Sequence, residues 1–157
     1  MTVSNTFSAN TKIKSAAVNT NFNEVWSVDW TAWSPLITGG TIAGTGTYSK
    51  NNGLYCRMGN IVFIKGTIIW TAHTGSGTMN ITGFPVTSLA SNLSFYTLNI
   101  GYYTSLNLPA SAVDLVIIMS QNNTTAGLYT GGDNIGAAAV SLDTAATIYF
   151  SGFYPVA

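Results

Sequence analysis

The sequence predicts an all-β fold, an antiparallel jelly roll or β-sandwich, preceded by a short N-terminal helix. Three observations predict it. From Leu36 onward the chain is dense in Thr, Gly, Ile, Val, Tyr and Phe, the residues that suit a pleated, half-buried surface. Turn signals recur at short intervals, at Gly39-Gly40, Asn51-Asn52-Gly53, Gly59-Asn60, Gly75-Ser-Gly77 and Gly131-Gly132. Before Trp33 the apolar spacing is helical instead.

The elements follow in order. Val18, Phe22, Val25 and Trp26 stand at i, i+4, i+7 and i+8, one apolar stripe on a helix, with Ser15 as its N-cap. A helix of about three turns is marginal alone in water, so the stripe needs another surface. Trp26, Trp30 and Trp33 follow as a hydrophobic collar between helix and β-domain. The division is therefore residues 1–33, an arm and helix for attachment or trimerisation, and residues 34–157, the β-domain. Strands are expected at 41–50, 54–58, 61–71, 78–82, 95–104, 112–120 and 146–154. Within 61–70 both alternating sets are largely apolar, which predicts a strand covered on both sides. The final strand, at the very end of the chain, is expected to be central in the sheet.

Composition narrows the function. The chain has 157 residues, 46% of them hydrophobic, enough for one domain with its own core. Only 6% are charged, against about 25% in an ordinary soluble domain, and five basic residues balance five acidic ones. Such a surface is either buried in an oligomer or covered with hydroxyls and amides. Lys12, Lys14, Lys50, Arg57 and Lys65 are too few to neutralise a run of phosphates, which argues against a nucleic-acid partner. The longest apolar runs, such as Leu115-Val-Ile-Ile-Met119, are too short to span a bilayer as a helix. Cys56 is the single cysteine, so the chain forms no internal disulfide.

The residues that carry chemistry are sparse. A glycosidase needs two carboxylates flanking one bond. Asp133 and Asp143 are the pair to weigh, and both stand in turn-like sequence; Glu24 and Asp29 belong to the helical segment. His73 is the only histidine, Cys56 sits among strand residues, and no nucleophile-elbow motif is present. A His73 metal ring would need three copies around an axis. The expectation is a protein that is not an enzyme and holds no cofactor or metal. Trp70, Tyr102, Tyr103 and Tyr129 are aromatics able to stack on sugar rings. Tyr129, near Gly127 and Gly131, is the candidate for an exposed tip, and it and Trp70 are the candidate glycan contacts.

Three stretches read together carry a resemblance. The segment from Asn5-Thr-Phe7 through Ala17-Val-Asn-Thr-Asn-Phe-Asn23 resembles the opening of bacteriophage fibre proteins. Tyr55-Cys-Arg-Met-Gly-Asn-Ile-Val-Phe63, extended by Trp70-Thr-Ala-His-Thr-Gly-Ser-Gly77 and Ile81-Thr-Gly-Phe-Pro-Val86, resembles a step found in phage knob domains. The terminal Ile148-Tyr-Phe-Ser-Gly-Phe-Tyr154 is similar to their closing strand. The resemblance implies a homotrimeric virion structural protein, synthesised in the host cytoplasm and displayed on the virion surface. In that reading Val18, Phe22, Val25 and Trp26 attach it to a capsid, portal or tail protein or to its own copies, and the β-head adheres to the host surface, with a glycan as a candidate partner. A long tail fibre would have a shaft between helix and knob, and this chain has none. A head fibre or capsid decoration protein without a receptor role is therefore the alternative, with a free carbohydrate-binding module or a polysaccharide depolymerase behind it.

Overall fold

A computed structural model of the chain describes residues 15–16, 18, 29–92, 95–132 and 135–157. Ten strands account for most of the described residues, and every pairing is antiparallel. They are β1 (Thr31–Trp33), β2 (Leu36–Gly39), β3 (Gly46–Met58), β4 (Ile61–His73), β5 (Met79–Thr82), β6 (Phe95–Thr104), β7 (Val116–Ser120), β8 (Thr125–Gly132), β9 (Ile135–Ala139) and β10 (Ala146–Pro155). Nine form one continuous order, β1-β3-β4-β10-β6-β7-β8-β5-β2, and β9 pairs with β8. The all-β expectation holds. The last strand is central, between β4 and β6.

The sheet curls until its ends meet. β1 pairs with the second half of β3, while β2, a few residues later, pairs with β5 at the far end of the order. Ser34 and Pro35 separate the two, and proline has no N–H to give to a ladder, so the chain changes partner there. Side chains then tie β2 back to the β3–β4 hairpin. The Tyr48 hydroxyl accepts from the Ile37 amide at 2.8 Å and donates to the Ile37 carbonyl at 3.2 Å. His73 Nε2 lies 3.0 Å from the same carbonyl, and its Nδ1 accepts from the Gly75 amide at 2.9 Å. That pattern of one donor and one acceptor is the neutral Nε2–H ring.

Period-two alternation fills the interior. On β4, Val62, Ile64, Ile68 and Trp70 point inward, facing Leu98, Ile117, Met119 and Leu128 from β6, β7 and β8. An aromatic cluster closes one region of this core. Trp33 packs on Phe84 at 5.3 Å and edge-on to Phe150 at 6.2 Å, and Phe84 meets Tyr154 edge-on at 6.0 Å. Two glycines directly opposite each other, Gly53 and Gly66, make room for it. A Cβ on Gly53 would lie 2.1 Å from the Trp33 indole nitrogen, and one on Gly66 would lie 2.5 Å from the Phe150 ring.

Several expectations change. Asn51-Asn52-Gly53 is no turn: β3 runs straight through it, because Gly53 is needed beneath Trp33 and opposite Gly66. Gly131-Gly132 lies in β8 rather than in a turn. Gly59-Asn60 does turn, with Gly59 at φ +58°. Residues 41–45 and 112–115 are loop, and β1, β2, β8 and β9 are strands the sequence reading lacks. β-structure begins at Thr31, before residue 34. Ser15, Ala16 and Val18 have helical backbone, and the rest of the expected helix lies outside the described residues.

Candidate functional site

The face of the sheet turned away from the core is where this fold leaves chemistry accessible. β4 carries Val62, Ile64, Gly66, Ile68 and Trp70 inward, so Ile61, Phe63, Lys65, Thr67 and Ile69 project outward. The two-sided cover predicted for this strand is complete on one side only among the described residues: on the outer side Ile61 and Lys65 are exposed and Phe63, Thr67 and Ile69 are half-buried.

Cross-strand register divides this outer face into two regions. One is apolar. Met58 pairs with Ile61, Cys56 with Phe63 and Phe63 with Phe153, whose ring lies 6.0 Å from that of Phe63. Phe153 is 60% exposed, and Phe95, outward on β6, is 62% exposed.

The other region is a groove of roughly 850 Å³ across β1, β3, β4 and β10. Its floor includes the paired glycines Gly53 and Gly66. Bulges shape its walls. Ser49 is the extra residue between Tyr48 and Lys50 on β3, and Gly101 is the extra residue opposite the Tyr149–Phe150 step of β10. Lys50, Asn52 and Leu54 project from β3, Lys65 and Thr67 from β4, and Tyr149 and Ser151 from β10. The Tyr149 ring leans on that of Tyr102 at 5.1 Å. Lys65 Nζ lies 5.2 Å from the centre of the Trp30 ring, within cation–π range.

Charge is distributed unevenly around this groove. Among the described residues the cations are Lys50, Arg57 and Lys65. Arg57 is committed to structure: its guanidinium donates to the carbonyls of Gly59 and of Ala157 at the C-terminus. The other two both line the groove, no described residue forms an ion pair with either, and no carboxylate is among its described lining residues.

The residues singled out from sequence fare differently. Trp70 is core: it is 1% exposed and its indole N–H donates to the Asp143 carbonyl at 2.9 Å, so neither ring face is open to a sugar. Tyr129 is not at a loop tip but in mid-strand on β8, half-buried between Val116 and Ala139. Tyr102 and Tyr103 are exposed, at 50% and 45%. Of the collar, Trp33 is core and Trp30 lies on the outer face. Val18 is half-buried, while Phe22, Val25 and Trp26 lie outside the described residues, as does Asp133.

Among the described residues, Asp114, Asp143, Cys56 and His73 are engaged by the fold, while Glu24, like Asp133, lies outside them. The Asp143 carboxylate accepts from the Asn107 amide at 2.8 Å, and that of Asp114 accepts from the Gly131 amide, each holding a loop. Burial pushes the Cys56 thiol up, away from thiolate formation. Cys56 pairs with Phe63, ten residues from His73, so the two stand about 33 Å apart along β4. His73 is buried with both ring nitrogens engaged, which leaves none to ligate a metal.

Lys50, Lys65 and Tyr149 are the site residues that the sequence reading passed over. The only signal for them is register, since Lys50 and Lys65 share a face once β3 and β4 are paired. Comparison of the chain with protein-family models, with curated proteins and with solved structures finds no match.

Proposed function

We propose that this chain is a non-enzymatic structural protein of a bacteriophage particle, a homotrimeric surface knob. The residues before β1 attach it and the β-head adheres to the host surface. The observation that carries this reading is β4. Its sequence is patterned for burial on two faces, while the described residues leave the outer one partly open. The apolar region around Met58, Ile61, Phe63 and Phe153 is where a further surface would pack. A symmetric oligomer supplies such a surface with identical copies. It also gives a chain with 6% charged residues a way to bury apolar surface that its few charges leave uncovered. The resemblance of the opening, middle and closing segments to phage fibre and knob proteins supplies the setting.

The test is the solution mass by light scattering of the full chain and of a chain starting at Asp29. A mass near three chains in both places the trimer in the β-head. A trimer lost on truncation assigns it to the N-terminal segment. A monomeric full-length chain overturns the knob reading. The groove favours a second reading, a free carbohydrate-binding module, which binds glycan as a monomer or dimer and with no need of the residues before β1.

A further inference from the structure

We propose that the outer-face groove is a binding site for an acidic oligosaccharide, with Lys50 and Lys65 contacting its anionic groups and Tyr149 stacking on a sugar ring. This deepens the adhesive reading above and rests on it for the biological setting only; the site itself stands on the geometry.

Three features define the ligand. The first is charge. The two described lysines that the fold does not use are both in one groove, with no carboxylate among its described lining residues. Two cations with no carboxylate among the described lining residues create a local positive potential that a neutral sugar would not exploit. The second is shape. Lys50 pairs with Ile69, four residues along β4 from Lys65, so the two side chains leave the sheet about 13 Å apart. The groove is therefore long enough for a short oligomer with repeated negative groups rather than a single sugar. The third is the lining between the lysines. Asn52, Thr67 and Ser151 offer amide and hydroxyl partners for sugar hydroxyls. Tyr149 is 41% exposed, leans against Tyr102 and presents an aromatic face at the rim. Trp30 lies beneath the Lys65 ammonium, next to the groove rather than in its lining. A nucleic acid would need more cations than two; an acidic glycan needs few cations, with hydroxyl partners and aromatic platforms between them.

The experiment uses the full chain on an array of oligosaccharides. Some carry carboxylates (uronic and ulosonic acids), some carry phosphate, and neutral oligomers of matched length are included, with single-stranded DNA as a plain polyanion. Affinities of the retained sugars follow by calorimetry. The expected result is retention of acidic sugars, carboxylated or phosphorylated, with neutral analogues at least about tenfold weaker. Raising salt from about 0.1 M to about 1 M, which shortens the screening length from about 10 Å to about 3 Å, should weaken binding further. K50A/K65A should lose about tenfold or more, K50R/K65R should retain binding, and Tyr149→Ala should lose about tenfold with the salt dependence unchanged. All three residues are exposed, so a circular-dichroism melt matching the parent shows the fold intact. No retained acidic sugar, binding indifferent to K50A/K65A, equal affinity for neutral analogues, or DNA bound as tightly as the sugars each overturns the proposal. Light scattering on the same samples keeps the two ideas apart: a trimer that binds no sugar sinks the groove alone, and a monomer that binds acidic sugar sinks the knob alone.

Discussion

Gly66→Ala is a minimal perturbation, one methyl group, with a cost that can be worked out. The new Cβ would sit 2.5 Å from Phe150 Cζ and 2.6 Å from Cε1, far inside contact distance. The Phe150 ring would have to move, yet it is 4% exposed and wedged by Trp33 at 6.2 Å and Phe84 at 6.5 Å. Overpacking of a dense core costs about 1–3 kcal/mol. Removing glycine from the unfolded chain returns about 0.4–1 kcal/mol, so the net loss is about 1–2 kcal/mol. For a domain of this length each kcal/mol moves the melting temperature by about 2–4 °C, giving a drop of about 2–8 °C. The assay is a thermal melt at one fixed chain concentration, because any self-association makes the midpoint concentration-dependent. Gly136→Ala is the control: on β9 nothing lies within 4 Å of its Cβ, so only the stabilising term remains. If Gly66→Ala melts with or above the parent, as Gly136→Ala should, the claim that the glycine pair exists to seat two aromatic rings is refuted. Combining Gly66→Ala with Phe150→Leu adds a further check. The smaller side chain relieves the clash, so the two losses should sum to more than the double variant shows.

Other expectations follow from the same contacts. Tyr48→Phe removes both side-chain bonds to Ile37 and should cost about 1–2 kcal/mol in urea unfolding, while the fold and far-ultraviolet spectrum persist. His73→Ala should cost more, about 2–4 kcal/mol, because it also opens a cavity and leaves the Gly75 amide without its acceptor. Burial pushes the Tyr154 phenol up to about 12 from an ordinary value of 10, and its hydroxyl donates to the Val86 carbonyl at 2.9 Å. The folded state therefore holds this proton longer than the unfolded one. The associated stability is complete below pH 10 and drains as pH rises towards 12; Tyr154→Phe should flatten that part of the pH–stability curve. Cys56, buried and with its thiol pushed up, should react with a thiol reagent at the rate of unfolding rather than at that of an exposed thiol.

Where the sequence was legible, it was through alternation of large apolar residues. β4, β6 and β10 carry large apolar residues at most alternate positions, and their placement agrees with expectation to within a few residues. β8 hid because its inward set is Ala126, Leu128 and Thr130, with only one large apolar member, and glycines fill much of its other face. β9, Ile-Gly-Ala-Ala-Ala, contains one β-branched residue and owes its extended state to β8. β1 and β2 are three and four residues long, too short for a period to register. At Asn51-Asn52-Gly53 a strong local hairpin signal yields to tertiary packing, since turning there would remove the floor beneath Trp33. The groove was illegible for a different reason. Lys50 and Lys65 are fifteen positions apart in a chain with few charges, and only the β3–β4 register makes them neighbours.

The scarcity of charge gives those two lysines their weight. On an ordinary domain, with about a quarter of its residues charged, two exposed ammonium groups are lost among neighbours of both signs. Here the carboxylates of Asp114 and Asp143 are occupied in loops, Arg57 pins the C-terminus, and the outer face around Lys50 and Lys65 is otherwise hydroxyl, amide and aromatic. Among the described lining residues no other charge competes for an incoming anion, so each lysine supplies about half of the cationic charge there. Adding a carboxylate should therefore act as strongly as removing a cation. Thr67→Glu, between the lysines on an exposed sheet face, should cancel acidic-sugar binding at low salt and leave the melting temperature within about 2 °C of the parent. Acidic-sugar binding that survives Thr67→Glu unchanged would mean that the ligand sits elsewhere on the molecule, and that the two lysines merely border an empty groove.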